Sequence, residues 1–143
     1  MITLSKKKFD YSTLLDKAYN VVPHEVSEHQ RFELPKIQGG MQGNMTIISN
    51  FKSIADTLRR PSQMLLKFFA RELATAGNLQ GSRGVFQGKF SLHTLNDLLK
   101  RFTETYVICG ECHKPDTKIL KEGRFTFIVC EACGAKDSVR TIT

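Results

Sequence analysis

All four cysteines of this chain lie beyond residue 108, in two matched pairs. Cys109-Gly110-Glu111-Cys112 and Cys130-Glu131-Ala132-Cys133 are separated by 17 residues. This C-x2-C…C-x2-C layout constrains the fold more than any other feature. Two thiolates three positions apart converge on one cation from a tight turn, and two such turns complete a tetrahedron. The spacing therefore predicts one structural Zn2+ held by Cys109, Cys112, Cys130 and Cys133. Gly134 follows the second pair, where positive φ lets backbone N–H groups turn toward sulfur. A module this short buries little apolar surface, so the ion has to supply its folding free energy.

Three other uses of the cysteines are weaker. Two disulfides suit a secreted protein, but Met1-Ile2-Thr3-Leu4-Ser5-Lys6-Lys7-Lys8 lacks the apolar stretch of a secretory signal. A redox pair leaves the second pair unexplained. Cys109 to His113 matches the C-x-x-C-H pattern of haem attachment, but that chemistry would leave Cys130 and Cys133 idle. His113 is expected to shape the turn rather than act as a fifth ligand. Four thiolates also leave no open metal position for catalysis.

The formal net charge is +7 and the sequence pI about 9.4, which points to an anionic partner, nucleic acid first. Residues 36–104 carry ten Lys/Arg against four Asp/Glu, whereas residues 105–143 carry six against five. The basic surface thus belongs to the middle of the chain, with Arg59, Arg60, Lys67, Arg71, Arg83 and Lys89 as candidate RNA contacts. No apolar run approaches the ~20 residues needed to cross a bilayer. A cytoplasmic protein without a membrane partner is expected.

Along the chain, Tyr11, Leu14, Leu15, Ala18, Tyr19 and Val22 recur at the spacing of one helical face, with Asp10 as N-cap and Pro23 as stop. A three-turn helix is marginal alone, so its apolar face has to dock on something. His24 to Gln30 reads as a linker. Gly39-Gly40 and Gly43-Asn44 mark turns, and Met45 to Ile48 a strand. Ser49 or Asn50 caps a helix through Leu58. Arg59-Arg60-Pro61 interrupts it, and a second helix follows, with Gly77 as its stop. Asn78–Gln80 and Val85–Gln87 form short strands about a Gly81–Gly84 turn. Ser91 opens a helix bearing Leu95, Leu98, Leu99 and Phe102. Thr105 to Ile108 reads as a strand leading into the first cysteine pair, and 117–120 and 125–129 as ribbon strands. The fold class expected is α+β: an N-terminal helix and linker over 1–30, a central α/β domain with a small antiparallel sheet over 31–104, and a four-cysteine ribbon over 105–143.

Gly81-Ser82-Arg83-Gly84 matches the GxxG clamp of KH domains, but it lies between strand-like runs, where a hairpin turn is expected. No phosphate-binding glycine fingerprint is present, and no histidine has a companion for acid–base work. The chain is therefore not expected to be an enzyme. One competing pattern is a winged helix-turn-helix, in which the helix after Arg60 enters the DNA major groove. Joined to a zinc ribbon, it would be a DNA-binding transcription factor.

Longer stretches are more specific. Residues 11–19 (Tyr-Ser-Thr-Leu-Leu-Asp-Lys-Ala-Tyr), Arg31-Phe32-Glu33-Leu34-Pro35 and Gly43-Asn44-Met45-Thr46 belong together with the run Arg71-Glu72-Leu73-Ala74-Thr75-Ala76-Gly77-Asn78. With Pro115-Asp116-Thr117 and Cys130 to Ala135, these resemble the beta-subunit family of archaeal translation initiation factor 2. Met45 stands where that family often carries a basic residue. The resemblance implies that Tyr11, Leu14, Leu15, Ala18 and Tyr19 dock on the gamma subunit, a GTPase. It further implies a heterotrimer with an alpha subunit that, with GTP, brings initiator methionyl-tRNA to the small ribosomal subunit. GTP hydrolysis would then belong to gamma.

Overall fold

A computed structural model describes residues 10–21 and 32–142, and the chain divides into two units, Met1–Glu33 and Leu34–Thr143. The first contains helix α1 (Tyr11–Val21). Asp10 takes the cap position. Its carbonyl accepts from the Leu14 N–H at 3.1 Å, and its carboxylate accepts from the hydroxyls of Ser12 and Thr13. Every residue of α1 is exposed, including Tyr11 at 76%, Leu14 at 46%, Leu15 at 39% and Tyr19 at 68%. The expected Pro23 stop and the His24–Gln30 linker lie outside the described residues.

The second unit begins with β1 (Gly39–Gln42) and β2 (Met45–Ile48), then helices α2 (Phe51–Thr57) and α3 (Ser62–Glu72). The hairpin β3 (Gly77–Gln80) and β4 (Arg83–Gln87) follows, then helix α4 (Leu92–Tyr106). Four antiparallel strands form one sheet in the order β1-β2-β4-β3. Strands β5 (Thr117–Glu122), β6 (Phe125–Cys130) and β7 (Lys136–Val139) form a second, three-stranded antiparallel sheet. The α+β class read from the sequence is the one observed.

Helices α2 and α3 pack on the first sheet and α4 packs on α3, each with the face its periodicity marks. Phe51, Ile54 and Ala55 of α2, Leu65, Leu66, Phe68 and Phe69 of α3, and Leu95, Leu98, Leu99 and Phe102 of α4 are buried. An aromatic chain runs through them. Phe86 of β4 meets Phe51 and Phe69 at 5.9 Å, Phe69 adjoins Phe68, and Phe68 meets Phe102 at 5.1 Å. Phe102 stacks on Tyr106 at 5.2 Å, and the Tyr106 hydroxyl donates to the carbonyl of Arg140 beyond β7 at 3.1 Å. Edge-on and tilted rings at these separations add to the burial term by about 0.5–1.5 kcal/mol per pair. The chain of rings ties the helical layer to the terminal sheet.

Several elements differ from the sequence reading. Gly39-Gly40 is strand rather than turn. The reversal falls at Gly43-Asn44, where Gly43 has φ +63°. Asn50 precedes α2 but makes no side-chain cap; its amide instead accepts from Gln38 N–H and donates to Lys36 O, both at 2.9 Å, tying the segment before β1 to the helix start. Gly77 is not a helix stop. Helix α3 ends earlier, at Ala74 with φ +48°, through a Schellman pair: Ala74 N–H to Arg71 O and Thr75 N–H to Ala70 O. Gly77 lies in β3, where a Cβ would stand 2.7 Å from the Phe86 ring. Thr105-Tyr106-Val107-Ile108 is not a strand either. Tyr106 continues the apolar face of α4 one turn past Phe102, and the Thr105 hydroxyl bonds back to Arg101 O at 2.8 Å. Tertiary burial outweighs the β-branched run. The third ribbon strand, β7, has no counterpart in the sequence reading.

Candidate metal centre

Each cysteine pair sits in the same turn. In the first, the Cys109 N–H donates to Lys114 O, and Cys109 O accepts from the His113 N–H, both at 3.1 Å. In the second, the Cys130 N–H donates to Ala135 O at 2.8 Å, and Cys130 O accepts from the Gly134 N–H at 3.1 Å. The residue after each second cysteine takes positive φ, +55° at His113 and +77° at Gly134. His113 is thus a turn residue, as its position in the motif predicts. The first turn hangs between the end of α4 and β5; the second joins β6 to β7.

The four sulfurs all lie within 4.8 Å of one another. Cys109 and Cys133 Sγ are 3.6 Å apart, and Cys112 and Cys130 Sγ 3.5 Å. These separations far exceed a disulfide bond of ~2.05 Å. They approach the edge of a tetrahedron with metal–sulfur bonds of ~2.3 Å, which is about 3.8 Å. The donor set therefore fits one tetrahedral thiolate-bound cation and is compatible with zinc.

Cys130, Cys133 and Cys112 differ in acidity because each feels its neighbours' sulfurs. The Cys133 N–H aimed at Cys130 sulfur, reinforced by that of Ala132 and opposed by burial, holds this thiol down to about 7. At Cys133 the Ala135 N–H favours the thiolate, but the neighbouring Cys130 sulfur, burial and the remaining cysteines push the thiol up to about 12. Cys112 is also raised: an N–H of Lys114 favours its thiolate, but burial and the Cys130 sulfur outweigh it. Four anionic sulfurs this close repel one another unless a positive ion sits among them.

A buried arginine supports the first turn. Arg60 is 5% exposed, and no carboxylate among the described residues pairs with it. Its Nε donates to Tyr106 O at 2.9 Å, Nη1 to Thr117 O at 2.9 Å and to Arg59 O at 3.0 Å, and Nη2 to Thr117 Oγ1 at 2.6 Å. Thr117 Oγ1 in turn donates to Val107 O. Burial lowers the guanidinium to about 10, still protonated at neutral pH. The carbonyl end of α4 is a favourable place for a cation. This corrects one expectation: Arg60 is a structural side chain whose donors are used internally, not a phosphate contact. Arg59, Lys67, Arg71, Arg83 and Lys89 are exposed. Nothing in the sequence distinguishes Arg60 from Arg59. The difference arises because Arg59 takes the left-handed position (φ +52°) that ends α2, which turns the next residue inward.

Comparison with known proteins decides among the readings. The family described as the domain found in initiation factors 2B and 5 matches residues 23–136. A translation initiation factor 2 subunit beta of Methanococcus maripaludis is 46% identical over 134 residues, covering 94% of this chain and 97% of that protein. The chain belongs to the beta-subunit family of archaeal translation initiation factor 2. The proteins of the same name from Methanosphaera stadtmanae and Methanococcus aeolicus are 42% and 43% identical, over 93% and 94% of this chain. Those matches cover 94% and 96% of the two relatives. Membership makes the chain a translation initiation factor subunit and favours that expectation over the DNA-binding alternative. No helix among the described residues is long and apolar enough to cross a membrane.

Proposed function

We propose that the chain is the beta subunit of a heterotrimeric, GTP-dependent initiation factor that delivers initiator methionyl-tRNA to the small ribosomal subunit. The similarity to beta subunits along 94% of the chain carries this reading. The exposed apolar side chains of α1 support it. Tyr11, Leu14, Leu15, Ala18 and Tyr19 would dock in a groove of the gamma subunit, the GTPase, with an alpha subunit completing the trimer.

In this reading the segments divide the work. Residues 1–30 anchor the subunit, 31–104 carry the cationic surface and 105–143 form a zinc ribbon. One structural Zn2+ would be held by Cys109, Cys112, Cys130 and Cys133, supplying a charge that lets all four sulfurs remain thiolates and closing the two turns on each other. Arg59, Lys67, Arg71, Arg83 and Lys89 would add salt-dependent contact with RNA in the assembled complex. The chain itself performs no hydrolysis; it binds and regulates, in the cytoplasm. Affinity purification of the chain from its native cells tests this. A GTPase recovered in stoichiometric amount is expected, and a preparation free of any GTPase but rich in duplex DNA would overturn it.

A further inference from the structure

We propose that Arg60 is a positioning residue for the metal centre, coupling ion binding by the four cysteines to the fold of residues 34–106. This rests on the metal reading above. Tyr106 and Thr117, which Arg60 bridges, bracket the segment that carries Cys109 and Cys112. The guanidinium thus clips together the two ends of the first metal turn. Thr117 also lies opposite Cys130 in the β5–β6 register, and the Glu131 N–H donates to Asp116 O at 2.8 Å. The same clip therefore reaches the second turn. On the other side, the Arg60 N–H donates to Ala55 O at 2.9 Å, closing the Schellman motif that ends α2. One residue satisfies the carbonyl ends of two helices and the root of the ribbon.

The coupling follows from the cost of burying a charge. A guanidinium removed from water without a counter-ion is tolerated only when carbonyl and hydroxyl oxygens take up its donors. Tyr106 O is fixed by α4, whereas Thr117 O and Thr117 Oγ1 lie at the far end of the metal turn and reach the guanidinium when that turn is closed. Loss of the ion opens the turn and leaves Arg60 short of acceptors. Loss of Arg60 leaves buried acceptors short of a donor and frees the ends of the turn. Partners that orient metal ligands from behind typically change metal affinity by about 10–100-fold when removed.

The test is chelator competition on the full chain, with Zn2+ and with Co2+ as a spectroscopic probe of thiolate binding. Arg60→Ala should weaken metal affinity by about 10–100-fold. Lys100→Ala, which removes one positive charge from the exposed side of α4, should leave it unchanged. Arg60→Lys should fall between, because an ammonium cannot span the three oxygens. Thr117→Val, which keeps the shape and removes the hydroxyl, guards against a variant that fails to fold and should weaken affinity in the same direction. In the unsubstituted chain, stripping the ion should strip hydrogen-exchange protection from the Val107 and Ile108 N–H groups, which donate to Thr103 O. Wild-type metal affinity in Arg60→Ala or Thr117→Val would overturn the coupling, as would protection at 107–108 that survives metal removal. Failure of the unsubstituted chain to bind either ion would instead overturn the metal reading beneath it.

Discussion

The exposed face of α1 allows a quantitative prediction. Tyr11 and Tyr19 retain 76% and 68% of their surface, whereas Leu14 and Leu15 retain 46% and 39%. The tyrosines therefore have the most area left to bury in a partner. Full burial of a large apolar side chain gives roughly 1.5–3 kcal/mol, so each tyrosine should supply about 2 kcal/mol and each leucine about 1 kcal/mol. Aromatic anchors of this kind dominate interface energies. The Tyr11→Ala, Tyr19→Ala double variant should lose about 3–4 kcal/mol of affinity for the gamma subunit, a rise in Kd on the order of a few hundred-fold. Titration calorimetry with purified gamma reads this directly, with Ser12→Ala as a surface control. A double variant that binds within about threefold of the unsubstituted chain would refute the assignment of α1 as the anchor.

Other outcomes follow from the same structure. Leu15→Asp places a charge on the α1 face and should weaken gamma binding in a pull-down. Ala74→Gly relieves the left-handed strain at the end of α3 and should raise stability by about 1 kcal/mol in urea unfolding. Gly77→Ala forces a methyl against Phe86 and should cost roughly 1–3 kcal/mol in the same assay. Ribosome or RNA binding should weaken as salt rises. Replacing Lys67 and Arg71 should reduce the slope of log affinity against log salt if those cations face phosphate, and an unchanged slope would exclude them. Acidification should release the bound ion, because thiols reprotonate as pH falls and compete with the metal; zinc retained unchanged into strong acid would contradict a four-thiolate site.

The parts of the fold legible in the sequence are those written in local pattern. The faces of α2, α3 and α4 follow from apolar spacing, Ser91 caps α4 by accepting from the Thr94 N–H as expected, and the cysteine spacing gives the paired turns. The misread parts depend on long-range packing. Ala74 rather than Gly77 ends α3, because Gly77 is needed where the strand crosses the Phe86 ring. The Thr105–Ile108 stretch has strand-like residues, yet Tyr106 is held in a helix by Phe68 and Phe102. Strand β7, with the sequence Lys-Asp-Ser-Val, carries no apolar alternation and is defined only by pairing with β6. Arg60 is invisible as a clip in the sequence because its acceptors lie 46 and 57 residues away.

The proposed function requires that the apolar face of α1 anchor a metal-organised subunit to a GTPase partner. Native mass spectrometry of the chain mixed with alpha and gamma subunits and GTP tests it in one measurement. A 1:1:1 assembly whose beta component carries the mass of one zinc ion is the predicted result. A metal-free chain that stays apart from gamma would contradict it.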